Sequence, residues 1–384
     1  MKFDFDKTLD RQQSESIKWL KYEKDVLPMW IADMDFVSPP AILDALHKRV
    51  DHGVFGYPTE NDEMKEVIIE WMARRHQWHI TAEEILFFPG VVSAFNLVSH
   101  AVCQPGNGVL LQTPAYPPFL QVASNVNLIQ QENELIADKN GYYQVDFDAF
   151  EKSIEPNTKL FILCNPQNPA GRVFTKSELE KMAEICLRKG VTICSDEIHS
   201  DMIYSGYKHL PIASLNDEIS NNTVTLMAPS KTFNIAGLEA SMIIVKNKDL
   251  RERIQKAGGG VAGWVNLLAL VAMTAAYRDC EPWLNELMVY LEGNRDFLYD
   301  TVNKELPGIS MGKPEGTYLG WLDCRGANLP EKPYDFFLKH GKLAVNDGHR
   351  FAKPGEGFVR LNFGCPRKTL EVGLERMKTA LKHV

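Results

Sequence analysis

Between Ile85 and Val245 the chain alternates short apolar runs with stretches of helical periodicity, and this alternation narrows the possible folds more than any other feature. The apolar runs are Ile85–Phe88, Val109–Gln112, Leu160–Cys164, Val191–Cys194, Val224–Met227 and Ser241–Val245. Between two of them, Lys176–Lys189 places Leu179, Met182, Ala183 and Cys186 on one helical face. Thr175 with Glu178 reads as a capping box at its start, and Gly190 as its stop. Strands that alternate with helices predict an α/β fold around a mostly parallel sheet.

After about residue 280 the pattern changes. A long helical stretch (Trp283–Val302) precedes strand-like runs at Thr317–Leu322, Leu343–Asn346 and Gly357–Asn362, then a last helix. This predicts a smaller α+β domain over 281–384, beside a large α/β domain over 46–280. Residues 1–45 show no such alternation and are expected to pack on the small domain and across the site. A chain of 384 residues is long enough for more than one such unit.

Composition excludes several classes. A net charge of −8 without a basic cluster predicts no nucleic-acid partner. The uncharged run Ala257–Tyr277 is long enough to raise a membrane span, but Gly258, Gly259, Gly260 and Gly263 interrupt it, and Asn266 and Thr274 are polar. A core helix over Trp264–Tyr277 is expected instead. The opening residues Met1–Asp6 carry no apolar stretch, so no secretory signal is expected. Seven cysteines without a CxxC pair predict reduced thiols, a cytoplasmic location and no zinc site.

The chemistry-bearing residues fall where such a sheet ends. Gly90 follows the first run, Tyr116 the second, Asn168 the third, Asp196 the fourth and Lys231 the fifth. In open α/β sheets ligands bind outside the carboxyl ends of the strands. A lysine there, partly desolvated, reacts as an amine. An aspartate on a neighbouring strand end pairs with a protonated pyridine nitrogen. Together they predict pyridoxal 5'-phosphate held on Lys231 as a Schiff base, with Asp196 facing the ring nitrogen. Gly90, Val91 and Val92 open a helix whose backbone N–H groups suit the phosphate, with the Ser230 hydroxyl beside them. Tyr116 is the candidate to stack on the ring and Asn168 the donor to its phenolic oxygen. Arg360, in the apolar strand Phe358–Leu361, is the candidate for a substrate carboxylate. Each has a plainer reading: surface lysine, turn aspartate, turn asparagine, half-buried tyrosine, surface arginine. The set taken in order favours function. Glu197 reads as a neighbour in the turn.

These residues in this order resemble fold-type I pyridoxal-phosphate enzymes of the aminotransferase class I/II superfamily. Within it the chain is similar to the cystathionine β-lyase-like (MalY/PatB) C–S lyases. The carrying segments are Pro28–Phe36, Phe55–Pro58, Cys164–Val173, Ser195–His199 and Ser230–Leu238. The resemblance implies a two-domain pyridoxal-phosphate-dependent transferase-like fold and a homodimer with shared active sites. It implies a C–S β-lyase acting on a small sulfur amino acid. The alternatives are an aminotransferase, or a binding or regulatory protein on the same fold. By the resemblance Ala32 lies near the substrate carboxylate, His199 stands where many aminotransferases carry a tyrosine at the cofactor, and Tyr57 reaches the phosphate of the neighbouring subunit. Many aminotransferases place an arginine at the phosphate where this chain has Glu239.

Overall fold

The computed structural model describes residues 2–260 and 263–384. Met1 of the opening stretch and Val261 and Ala262 of the uncharged run lie outside the described residues. The main sheet contains β1 (Ile85–Phe88), β2 (Gly108–Thr113), β3 (Ile129–Glu134), β4 (Thr158–Cys164), β5 (Thr192–Asp196), β6 (Thr223–Met227) and β7 (Ser241–Ile244). Their order is β1-β7-β6-β5-β4-β2-β3. β7 is antiparallel to β1 and to β6, and the other pairings are parallel.

Both faces of this sheet are covered. Val109, Leu111, Leu160, Ile162, Cys194, Val224 and Leu226 pack on one side against Ala94, Phe95 and Val98 of α1 (Val91–Val102). Leu110, Phe161, Leu163 and Ile193 pack on the other side against Leu179, Met182 and Cys186 of α2 (Lys176–Lys189). Alternate residues of each strand therefore serve opposite faces, which is why the central strands read as unbroken apolar runs. The α2 boundaries match the capping signals: both hydrogen bonds of the Thr175–Glu178 box are present, and Gly190 ends the helix at φ +66°.

Asn266 does not interrupt a helix; it begins one. Its side chain accepts from the Ala269 backbone N–H at the start of α3 (Leu267–Asp279), so the core helix opens three residues later than Trp264. α4 (Glu281–Glu305) follows directly. A second, antiparallel sheet holds β8 (Ser310–Met311), β9 (Leu319–Asp323), β10 (Asn346–Asp347) and β11 (Phe358–Asn362), in the order β8-β9-β11-β10. The single run expected over Leu343–Asn346 divides. Leu343–Ala344 pairs in parallel with Leu27–Pro28, while Asn346–Asp347 joins β11.

That pairing ties the early chain to the second sheet. The Asn362 backbone N–H donates to the Met29 carbonyl at 2.9 Å, and its side-chain amide to the Ile31 and Asp33 carbonyls at 2.6 and 2.8 Å. Residues 29–36 are thereby led across the carboxyl end of the main sheet. No helix among the described residues is long and apolar enough to cross a membrane.

Candidate active site

Gly90 caps α1 at φ +85°, a left-handed backbone that favours glycine, and turns the chain sharply from β1 into the helix. Asp196 is the last residue of β5 and is buried. Lys231 lies in the single turn Pro229–Thr232 that follows β6. One cavity of about 240 Å³ brings these strand ends together; its lining includes Ala32, Gly90, Val91, Val92, Tyr116, Asn168, Asp196, His199, Ser230 and Lys231. Ten of the predicted site residues thus meet in one place.

The Lys231 ammonium donates to the Ala32 carbonyl at 2.8 Å. Burial pushes its pKa down to about 8; the charges of Asp33 and Asp196 oppose this and Arg360 adds to it. The Asp196 carboxyl is pushed up to about 7, first by burial and then by Glu197, against one hydrogen bond from the Ile198 backbone N–H at 3.1 Å and the charge of Lys231. Burial, with the nearby cations Lys231 and Arg360, holds His199 down at about 3. The imidazole lining the cavity beside Lys231 is therefore neutral. Burial raises the Tyr116 phenol as well.

Arg360, on β11, is fully enclosed, and burial lowers its pKa to about 10. It donates to Asn168 Oδ1 at 2.9 Å, to the Trp30 carbonyl at 3.0 Å and to Asn346 Oδ1 at 2.6 Å, over the Phe351 ring. These contacts join the second sheet to the Asn168 turn; Arg360 is not itself among the residues lining the cavity and reaches it through Asn168, which is. Tyr57 is not brought into the cavity of its own chain. It is 90% exposed and stands edge-on to Trp264 at 4.8 Å. Glu239 lines the cavity from an exposed position at φ +55°.

Three site neighbours carry no sequence signal of their own. Tyr318 donates to the Ala32 carbonyl at 3.1 Å and meets the His199 ring edge-on at 5.9 Å, yet it sits in an apolar run like any core aromatic. Glu197 is not merely a turn residue. It is completely buried, accepts from Ser195 Oγ at 2.9 Å and pairs with His209 at 2.8 Å, bracing the turn that presents Asp196. Asp33 neighbours Ala32 and is bound by Arg11.

Buried polar atoms without partners test whether the cavity suits pyridoxal phosphate. Among the described residues His199 Nδ1 and Arg360 Nε have no hydrogen-bond partner, and the Asp196 carboxyl accepts from the Ile198 backbone N–H. Unsatisfied buried groups of this kind call for a polar ligand. An amine of lowered pKa, a carboxyl able to face a cationic nitrogen and a glycine-opened helix start are the matching complements.

Comparison with known proteins agrees with this geometry. Residues 24–377 match the family described as aminotransferase class I and II. Cystathionine β-lyase PatB of Bacillus subtilis is 43% identical over 98% of this chain and 100% of its own. Protein MalY of Escherichia coli is 34% identical over the full length of both. The crystal structure of cystalysin from Treponema denticola, which contains a pyridoxal 5'-phosphate cofactor, superposes with a TM-score of 0.95 at 35% identity over the whole of both chains. The chain belongs to the aminotransferase class I and II family. Within that family it falls in the branch of pyridoxal-phosphate-dependent, cystathionine β-lyase-like carbon–sulfur lyases.

Proposed function

We propose that the chain is a carbon–sulfur β-lyase that cleaves cystathionine or a related cysteine S-conjugate to a thiol, pyruvate and ammonia. The observation that carries this is one cavity presenting the Lys231 amine, the Asp196 carboxyl and, through Asn168, the Arg360 guanidinium. Bound there, pyridoxal 5'-phosphate supplies an electron sink for the pair left on the substrate's Cα.

The protein's residues do the rest. Gly90, Val91 and Val92 offer backbone N–H groups and Ser230 a hydroxyl to the phosphate; Tyr116 covers the ring, and Asn168 and His199 serve its polar edge. Asp196 keeps a negative charge opposite the ring nitrogen. Arg360 and the Ala32 region hold the substrate carboxylate and so orient the Cα–H bond. Lys231, free as an amine, takes the α-proton; its lowered pKa lets it be neutral near pH 8. The thiolate then leaves from Cβ, and water converts the remaining three-carbon enamine to pyruvate and ammonia.

We further take the enzyme to be a cytoplasmic homodimer in which Tyr57 serves the partner's phosphate. The exposed aromatics Phe55, Tyr57 and Trp264 support an interface there. The seven cysteines are free thiols, the state kept in a reducing compartment. We also divide the chain into an N-terminal segment (1–45), a large cofactor-binding domain (46–280) and a small domain (281–384). The separate main and second sheets support that division.

The deciding experiment is product analysis with cystathionine, with and without an added keto acid. Pyruvate and a free thiol should form catalytically with no keto acid present. Turnover that requires a keto acid and yields a new amino acid would assign the protein to transamination.

A further inference from the structure

Asn234 stands three residues after Lys231, in the left-handed backbone region at φ +56°, and the reaction above gives it no task. The turn that carries both is closed on itself. The Phe233 backbone N–H donates to the Pro229 carbonyl at 2.9 Å, and that of Ile235 to the Ser230 carbonyl at 3.0 Å. Lys231 and Asn234 are therefore placed as one piece. The Asn234 carboxamide faces the segment Pro28–Phe36. Its Oδ1 accepts from the Met34 backbone N–H at 3.1 Å, and its Nδ2 donates to the Met34 and Phe36 carbonyls at 3.0 and 2.8 Å. Ser38 Oγ donates to the Asn234 backbone carbonyl at 3.0 Å. The Lys231 ammonium meets the same segment at the Ala32 carbonyl, at 2.8 Å. Among the described residues, five hydrogen bonds join Pro28–Ser38 to Pro229–Leu238; one is the amine's own and the other four belong to Asn234. The remaining ties on this segment lead elsewhere. Asn362 and Tyr318 hold the Ile31, Ala32 and Asp33 carbonyls from the second sheet and its edge. Lys18 and Arg11 hold the Asp33 and Met34 carbonyls from the early chain, at 2.9 and 3.1 Å.

We propose that Asn234 is a positioning residue for the reaction: by registering Met34 and Phe36 on the turn that carries Lys231, it keeps the Ala32 carbonyl within reach of the amine whenever the amine is free. This rests on the reading of Lys231 as the acting base. An acceptor fixed at that place favours the ammonium form and holds it to one side of the cavity. Without Asn234 the acceptor is placed only by the second sheet and the early chain, and the amine only by its own turn. The charged and titratable groups around the amine are Asp33, Asp196, His199, Tyr116, Glu239, Tyr318 and Arg360, drawn from the early chain, the strand ends of the main sheet and the second sheet. Substitution at Asn234 changes none of them.

The test uses Asn234→Gly in the cofactor-free full-length protein. Glycine accepts the left-handed backbone and leaves the carbonyl that Ser38 binds, so only the three carboxamide bonds are lost. The rate of Lys231 acetylation by acetic anhydride is followed against pH by peptide mass mapping. Loss of a placed acceptor disfavours the ammonium, so the midpoint should fall by roughly one pH unit. Loosened packing alone has the opposite sign. It admits water, relieves the burial that depresses the amine and moves the midpoint up toward that of an ordinary lysine. In the holoenzyme the acidic limb of the kcat profile should fall in the same direction as the acetylation midpoint. A midpoint that stays or rises would overturn the proposal. If Asn234→Gly does not fold, as judged by circular dichroism, Asn234→Ser, whose short side chain cannot span Met34 and Phe36, decides by the same shift. Failure of the parent reading shows separately, as a borohydride-reduced cofactor adduct on a lysine other than Lys231.

Discussion

Arg360, in the middle of β11, and Asp196, at the end of β5, are both buried ionisable groups, but they respond oppositely to loss. Arg360 already has three protein acceptors, so its removal leaves Asn168 and Asn346 without their donor and the substrate carboxylate without a counter-charge. A charge-assisted bond is worth roughly 1.5–3 kcal/mol. Arg360→Ala should lower kcat/KM roughly ten- to a hundredfold while cofactor absorbance persists, as steady-state kinetics and visible spectra will show. Loss of the cofactor with unchanged KM would mean a misassigned residue. Asp196 instead opposes folding when charged and alone. Its carboxyl titrates near the ordinary aspartate value of 3.8 when unfolded and near 7 when folded, so the folded form holds a proton that the unfolded form has released between those values. A raised carboxyl contributes stability at low pH that is lost as pH rises through about 7. Denaturant unfolding of the cofactor-free protein should therefore show Asp196→Asn gaining on the parent from about pH 4 to pH 7. His199, with its lowered pKa, biases both proteins alike and cancels in that difference. A constant difference across the range would show that Asp196 is not the buried acid.

At the scale of elements, α2 offers the plainest test, because its ends are specified locally. Thr175→Ala removes the side-chain acceptor of the Glu178 N–H and should cost about 1 kcal/mol of stability with turnover unchanged. Glu178→Ala should cost more, because Glu178 also holds buried Arg172 at 2.9 Å. Equal losses in chemical denaturation would remove the Arg172 contribution. The helix was legible from sequence because capping chemistry lies within four residues. β4, β5 and β6 were legible because burial on both faces leaves continuous apolar runs. β3 was not. Its inward residues are Gln131 and Asn133, which satisfy Thr158, Asn157 and Gln112 across the sheet, so an edge strand is buried with no apolar stripe to betray it. The same distinction runs through the site. Gly90, Asn168, Asp196 and Lys231 stand beside strand signals in the chain. Asp33, Glu197 and Tyr318 gain their places from partners distant in sequence or from a burial that no local pattern marks, and no spacing reports that.

At the scale of the whole molecule, Tyr57 is the residue that a single chain leaves without work. It stands 90% exposed beside Trp264, in the turn Phe55–Pro58, outside the cavity that holds Lys231. An exposed tyrosine on a turn is ordinary, and a tyrosine awaiting a partner subunit looks the same. Mixed dimers separate the two. Tyr57→Phe or a more impaired Tyr57 substitution and Lys231→Ala are each prepared as homodimers with little or no activity, then mixed and re-associated. If Tyr57 acts across the interface, one site of each mixed dimer receives both lesions and the other receives neither. Activity should then recover toward that of one intact site per dimer. If Tyr57 serves its own subunit, every site carries one lesion and nothing returns. Verified mixed dimers that stay inactive would confine Tyr57 to its own chain and leave the phosphate to Gly90, Val91, Val92 and Ser230.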